Sequence, residues 1–230
     1  DENDPNDAEV GVDPEMLGKI FENLLEDNKD KGAFYTPKEI VRYMCQESLI
    51  AYLETNTSVA KDKIRQFVLS PEEGVADIPE NKKPKLLAAL EEVKICDPAI
   101  GSGAFPMGIL QQMVHVLSQL DPTNEKWKNL MLENALGETK DAFQSQTEEE
   151  RAEKLRDIEN SFNENLNNPD YARKLYLVEN CIYGVDIQPI AIQISKLRFF
   201  ISLVVDQKSN NNPVDNFGIR PLPNLEAKFV

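Results

Sequence analysis

Apolar residues recur at helical spacing over much of this chain, and two short apolar runs break that rhythm. Met16, Leu17, Ile20, Phe21, Leu24 and Leu25 fit an amphipathic helix over 14–28, with Asp13 before Pro14 as its N-cap. A second helix is predicted from Thr36 as N-cap, Pro37 as first helical residue and Glu39 three positions after the cap, a capping-box pattern. Ile40, Val41, Met44, Cys45, Leu49, Ile50 and Leu53 make its apolar stripe. Residues 55–93 read as a helical connector with a loop around 71–84. The run Val93–Cys96 predicts a strand stopped by Asp97 and Pro98, followed by a tight turn at Gly101-Ser102-Gly103 and a helix carrying Met107, Leu110, Met113, Val114 and Leu117.

Residues 121–180 are polar, charged and rich in Asn. They predict a helical insertion or long crossover, with helical pieces at 127–136, 148–166 and 169–180 and a largely solvated surface. A second strand is expected at Cys181–Val185, ending at Asp186. Pro189 then opens an apolar helix through Ile192, Ile194, Leu197, Phe200, Ile201, Val204 and Val205, and Ala227–Val230 reads as the start of a third strand. Strands alternating with helices imply an α/β fold with parallel strands. The organisation expected is a flexible lead-in over 1–13, an N-terminal helical segment over 14–93, and an α/β domain over 94–230.

Composition narrows the function classes. A hydrophobic share of 41% is that of an ordinary globular protein. No apolar run approaches the roughly 18–20 residues that span a bilayer, and the acidic first ten residues do not form a signal peptide. Cys45, Cys96 and Cys181 are far apart, which argues against a zinc ribbon or a disulfide framework. Their apolar settings predict buried, reduced thiols and a cytoplasmic protein. The net charge of −15 is wrong for a protein that grips nucleic acid through phosphates alone.

The segment Asp97-Pro98-Ala99-Ile100-Gly101-Ser102-Gly103-Ala104-Phe105 carries the chemistry. A strand end, a glycine turn and a helix N-terminus together offer free N–H groups and positive potential to an anionic ligand group. A plain β-to-α turn needing two glycines is the bland alternative. A dinucleotide fingerprint would need a third glycine where Pro106 stands, and a phosphate loop would need a Lys that is absent.

Asp-Pro-Ala-x-Gly-Ser-Gly-x-Phe resembles the cofactor motif of amino-methyltransferases acting on DNA adenine. Gly32-Ala33-Phe34-Tyr35-Thr36-Pro37 resembles the same family's N-terminal motif, and Ile182-Tyr183-Gly184-Val185-Asp186-Ile187 its second-strand motif. The three stand in family order and are most similar to the large adenine methyltransferases of type I and type IIG restriction systems and their phage-defence relatives. The resemblance implies a partial class I, Rossmann-like methyltransferase sheet that binds S-adenosyl-L-methionine. It implies that Asp97 accepts from the cofactor's ammonium and that the Ala99–Gly103 backbone, with Gly101 and Gly103, passes close to its methionine carboxylate and ribose. Asp186 would accept the ribose hydroxyls and Ile187 would lie against the adenine. Tyr35 and Thr36 would close over the methionyl group, with Phe34 and Phe105 completing the cofactor set. Asp186 has a second possible role, capping the helix at Pro189, and His115 reads as a packing or surface residue.

The family's catalytic Asn/Asp-Pro-Pro-aromatic motif is absent. Asn212-Pro213 continues as Val214-Asp215. The expectation is a cofactor-binding portion, inactive alone, whose double-stranded DNA contacts lie in regions outside this sequence. A specificity or nuclease subunit, or a fused nuclease, would be a further partner. Two other readings remain open: a non-catalytic scaffold with the same fold, and methyl transfer to RNA or to a protein glutamine.

Overall fold

The computed structural model describes residues 36–132, 148–163, 167–219, 223–226 and 228–230. The expected lead-in over 1–13 and helix over 14–28 lie outside them, as do Phe34 and Tyr35. The described elements are α1 (Lys38–Asn56), α2 (Lys61–Leu69), α3 (Pro71–Gly74), α4 (Lys83–Glu92), β1 (Ile95–Asp97), α5 (Ala104–Leu120), α6 (125–132), α7 (Glu148–Ser161), α8 (Pro169–Asn180), β2 (Ile182–Gly184) and α9 (Pro189–Val204). Among them helices dominate, and the sheet is small.

β1 and β2 run parallel, with Ile95 opposite Ile182, Cys96 opposite Tyr183 and Asp97 opposite Gly184. The end of the chain lies along the other side of β2. Gly184 donates to the Lys228 carbonyl at 2.9 Å, and Val230 donates back to the Gly184 carbonyl at 3.0 Å. A parallel bridge joins Gly184 to Phe229. The expected third strand is therefore present as a single bridge, and β2 is the middle of the three. Phe229 stacks on Phe199 of α9, with ring centroids 4.9 Å apart, which anchors this last segment to the core.

α5 is the hub. It contains no Asp, Glu, Lys or Arg, and it buries Met107, Ile109, Leu110, Met113, Val114, Val116, Leu117 and Leu120. A helix apolar on nearly every side has to be enclosed; α1 and α4 pack against it, and so does α8. Each fully buried Leu or Met there contributes about 1.5–3 kcal/mol.

Several expectations are corrected. No side chain caps α1, which begins one residue later than predicted. Pro37 is extended, and its carbonyl accepts from the amides of Ile40 and Val41. The capping box at Thr36 therefore does not form. Ile40 and Met44 are about half exposed, while Gln46 is buried in their place, so the buried stripe is rotated from the predicted one. The stretch around 71–84 is not a plain loop: it holds α3 and two short 3₁₀ turns, and Pro84 lies in the first turn of α4.

Residues 121–180 are not a solvated appendage throughout. Trp127 is fully buried and meets Tyr176 edge-on, with centroids 5.3 Å apart. Asp121 accepts from the Trp127 amide at 2.7 Å, and the buried Arg173 donates to the Asp121 carbonyl at 2.6 Å. These bonds tie the turn before α6 to α8, which itself buries Tyr171, Ala172, Leu177 and Val178. α8 is thus a core helix leading into β2. Its charged residues concealed this, because Arg173 is buried together with Tyr171, Ala172, Leu177 and Val178.

Cys45 and Cys181 are buried as expected, but Cys96 is exposed. It lies on β1, the outer of the two named strands, on a face that the described residues leave open. No helix among the described residues is long and apolar enough to cross a membrane.

Candidate functional site

The parallel register sets two carboxylates side by side. Asp97 is the last residue of β1, and Asp186 follows β2 by two residues, so both stand at the carboxyl ends of adjacent strands. In open parallel sheets this edge is where ligands bind. After Asp97 the chain folds back over the end of β2: Val185 donates to the Asp97 carbonyl at 2.9 Å, and Ile100 donates to the Val185 carbonyl at 3.0 Å. Ile100 then packs onto Gly184. A Cβ at Gly184 would fall 2.2 Å from Ile100 Cδ1, so a side chain there would force Ile100 to repack.

The turn itself is left-handed at both glycines, with φ of 52° at Gly101 and 83° at Gly103. L side chains rarely adopt such angles, which accounts for the spacing of the two glycines. Their surroundings differ. A Cβ on Gly103 would come within 3.0 Å of Ser195 Oγ on α9, whereas one on Gly101 would meet only the Ala99 carbonyl at 4.0 Å. Gly101 thus leaves open space on its outer side, of the kind a ligand pressed against backbone requires. Gly103 also precedes α5, whose first N–H groups and dipole favour a negative group.

Asp97 and Asp186 are held differently. Asp97 Oδ1 accepts from the Ala99 amide at 3.0 Å, and Oδ2 is buried with no hydrogen-bond partner among the described residues. Burial raises the Asp97 pKa above the ordinary carboxylate value; the Ala99 N–H opposes this, and the neighbouring Asp186 charge adds to it. Asp186 uses both oxygens: Oδ2 accepts from Gly101 at 2.9 Å and Oδ1 from Gln188 at 2.8 Å. The N-cap of α9 is Gln188, so Asp186 supports that helix start from two residues before the cap.

Of the residues expected at the site, the structure brings together Asp97, Ala99, Gly101, Gly103 and Asp186. Phe105 is in the first turn of α5, and its carbonyl lies 3.6 Å from Cys45 Sγ. Ile187 is 94% exposed beside Asp186. Thr36 makes no hydrogen bond to the turn among the described residues. α1 reaches the site instead through Cys45, whose thiol is pushed up to about 11 by burial and then by the Asp97 charge. His115 is a surface residue, 2.6 Å from Glu72.

Sequence reasoning missed Ser195 and Arg198. Both are buried on α9 and bond to the turn: Ser195 Oγ donates to the Gly101 carbonyl at 2.8 Å, and Arg198 Nη1 donates to the Ser102 carbonyl at 2.7 Å. The predicted apolar stripe had placed Leu197 inward, yet Leu197 is 40% exposed. The available signal was their spacing, three residues apart on one helical face.

Comparison with known proteins gives one distant likeness. The chain is similar to part of a restriction and methylation protein. Over 209 residues it is 27% identical to a Methanocaldococcus jannaschii protein described as a "putative type II restriction enzyme and methyltransferase". The match covers 85% of this chain but only 14% of that protein. No family model and no solved structure matches the chain.

Proposed function

We propose that this chain is the S-adenosyl-L-methionine-binding portion of a DNA methyltransferase that acts on adenine N6 within a restriction–modification or phage-defence system. One observation carries the reading: the buried Asp97 Oδ2 has no donor among the described residues and lies beside a glycine turn with open space at Gly101. A buried carboxylate oxygen without a partner is costly, and an ammonium donor would relieve it. The two-glycine turn and the start of α5 suit a carboxylate, and Asp186 retains acceptor capacity for a ribose diol. An amino acid joined to a nucleoside meets all three requirements, and S-adenosylmethionine is such a molecule.

In that pose Asp97 holds the ammonium, Ala99, Gly101 and Gly103 lie along the methionyl group and ribose, Asp186 takes the ribose hydroxyls, and Ile187 lies against the adenine. Phe34, Tyr35, Thr36 and Phe105 close the methionyl end. When bound, the cofactor supplies an electrophilic methyl group. The distant likeness to a restriction and methylation protein supports this class of reaction. In this reading the grip on double-stranded DNA, and any specificity or nuclease function, belong to other parts of a longer polypeptide or to partner subunits; the net charge of −15 supports the first of these.

Calorimetric titration of the chain with S-adenosylmethionine, with NAD and ATP as controls, tests the proposal. Selective binding of the methyl donor is expected. Equal binding of NAD, or no binding by a longer chain extended past Val230, overturns it.

A further inference from the structure

We infer that Ser195 and Arg198 are positioning residues of the glycine turn, through which α9 sets the backbone that the cofactor meets; the consequence for affinity rests on the cofactor reading above.

In a planar trans peptide the C=O and the following N–H point in opposite directions. Ser195 Oγ holds the Gly101 carbonyl at 2.8 Å, and Arg198 Nη1 holds the Ser102 carbonyl at 2.7 Å. Two successive peptide planes are therefore pinned to α9 by their oxygens, and their N–H groups are directed away from it. One of those N–H groups, on Gly103, donates to the Ile100 carbonyl at 2.8 Å, closing the turn. Without such pins, a segment with two positive-φ glycines has many alternative conformations.

Burial sharpens the point. Ser195 is fully buried and Arg198 is 6% exposed, beside the fully buried Phe199. Packing α9 against the core needs only apolar residues, as at Ile192, Ile194 and Leu203. A guanidinium buried there carries a desolvation cost that its hydrogen bonds to the turn offset. α9 also starts three residues after Asp186, whose Oδ2 accepts from the Gly101 amide. The same peptide segment is thus held at the Gly101 nitrogen by the carboxylate before α9 and at the Gly101 oxygen by a hydroxyl on α9. Turn and ribose acid form one unit, and movement of α9 would shift both together.

The test uses Ser195→Ala, Arg198→Met and Arg198→Lys in the 230-residue chain, with two readouts. The first is amide hydrogen exchange at Gly101 and Gly103 without ligand. The second is affinity for S-adenosylmethionine by calorimetry. Ser195→Ala and Arg198→Met are expected to speed exchange at both glycine amides roughly tenfold, the effect of one lost hydrogen bond. The central amides of α5 should not change, and affinity should fall in proportion. Arg198→Lys should recover part of both effects, because an ammonium can still reach one carbonyl; a role confined to filling space predicts no such rescue. Ser195→Ala keeps the proposal testable if Arg198→Met fails to fold. Unchanged exchange at Gly101 and Gly103 in Ser195→Ala overturns the positioning role, whatever happens to affinity. Faster exchange in the variants, together with no binding of the methyl donor by a longer wild-type chain, upholds the clamp and removes the cofactor reading instead.

Discussion

The amide of Gly101 donates to Asp186 Oδ2 at 2.9 Å, across 85 positions of sequence. The turn after β1 and the acid after β2 are therefore parts of one structure before any ligand arrives. Replacing Asp186 with Ala does more than remove a ribose acceptor. It strips the acceptor from both the Gly101 and the Gln188 amides and should destabilise the fold by about 1–3 kcal/mol. Asp186→Asn keeps one carbonyl oxygen and should cost less. The expected result is that both variants lose affinity for S-adenosylmethionine, whereas only Ala lowers the urea midpoint substantially. Equal midpoints for the two would argue against the double role.

Asp97 sets stability against binding. Its pKa is raised in the folded state, first by burial and also by the Asp186 charge. A raised carboxyl contributes stability that is fully present below the unfolded pKa, near 4 for an ordinary Asp, and lost as pH rises through the folded value. At neutral pH the ionised Asp97 therefore costs stability. Asp97→Asn keeps an oxygen for the Ala99 amide and should melt at a higher temperature than wild type at pH 7. That gain should shrink to nothing below about pH 4. The same variant should bind S-adenosylmethionine far more weakly, because a neutral amide cannot attract an ammonium. A melting temperature lower than wild type at pH 7 would contradict this account of Asp97.

The two turn glycines should respond differently to alanine. At Gly101 the φ of 52° imposes a left-handed penalty of about 1–2 kcal/mol, but the added methyl finds open space. Gly103 has the same kind of penalty, and a Cβ there also stands 3.0 Å from Ser195 Oγ. Gly103→Ala should thus be the more destabilising by thermal melting. Gly101→Ala should reduce cofactor affinity by more than its modest loss of stability accounts for, because its methyl occupies the ligand's side. Similar ratios of affinity loss to stability loss in both variants would sink the assignment of Gly101 to the ligand face.

Much of this site was legible in the sequence because its signals are local. Two glycines flanking one residue, an acid at each strand end and Pro189 in the first turn of a helix each constrain their own segment. The parallel pairing of β1 with β2 followed from the order of the elements, whereas the register that sets Asp97 opposite Gly184 is seen only in the structure. The capping box at Thr36 did not form because the Pro37 carbonyl receives the first helical amides instead. α9 was misread for a different reason. A hydrophobicity pattern sends polar residues outward, yet Ser195 and Arg198 turn inward because backbone carbonyls of the glycine turn await them there. Only the tertiary arrangement reveals those acceptors. The core role of α8 was hidden likewise, since its buried Arg173 reads as a surface charge until the Asp121 carbonyl is seen beside it.

Thiol accessibility gives a prediction independent of any ligand. Cys45 and Cys181 are buried, and burial pushes their thiols up to about 11 and about 12. Both should be protonated and shielded at pH 8. Cys96, on the open face of β1, is exposed. Since the thiolate is the reacting species and access governs its encounter with reagent, the native chain should titrate a single thiol with Ellman's reagent at pH 8. Three should react in denaturant, and Cys96→Ser should abolish the native signal. If a partner or a following strand packs on that face of β1 in a longer chain, the Cys96 signal should disappear there while the denatured count stays the same. Persistent reactivity of Cys96 in such a chain would show that this face of β1 remains uncovered, and two or more reactive thiols in the native chain would contradict the packing of α1 or of the junction between α8 and β2.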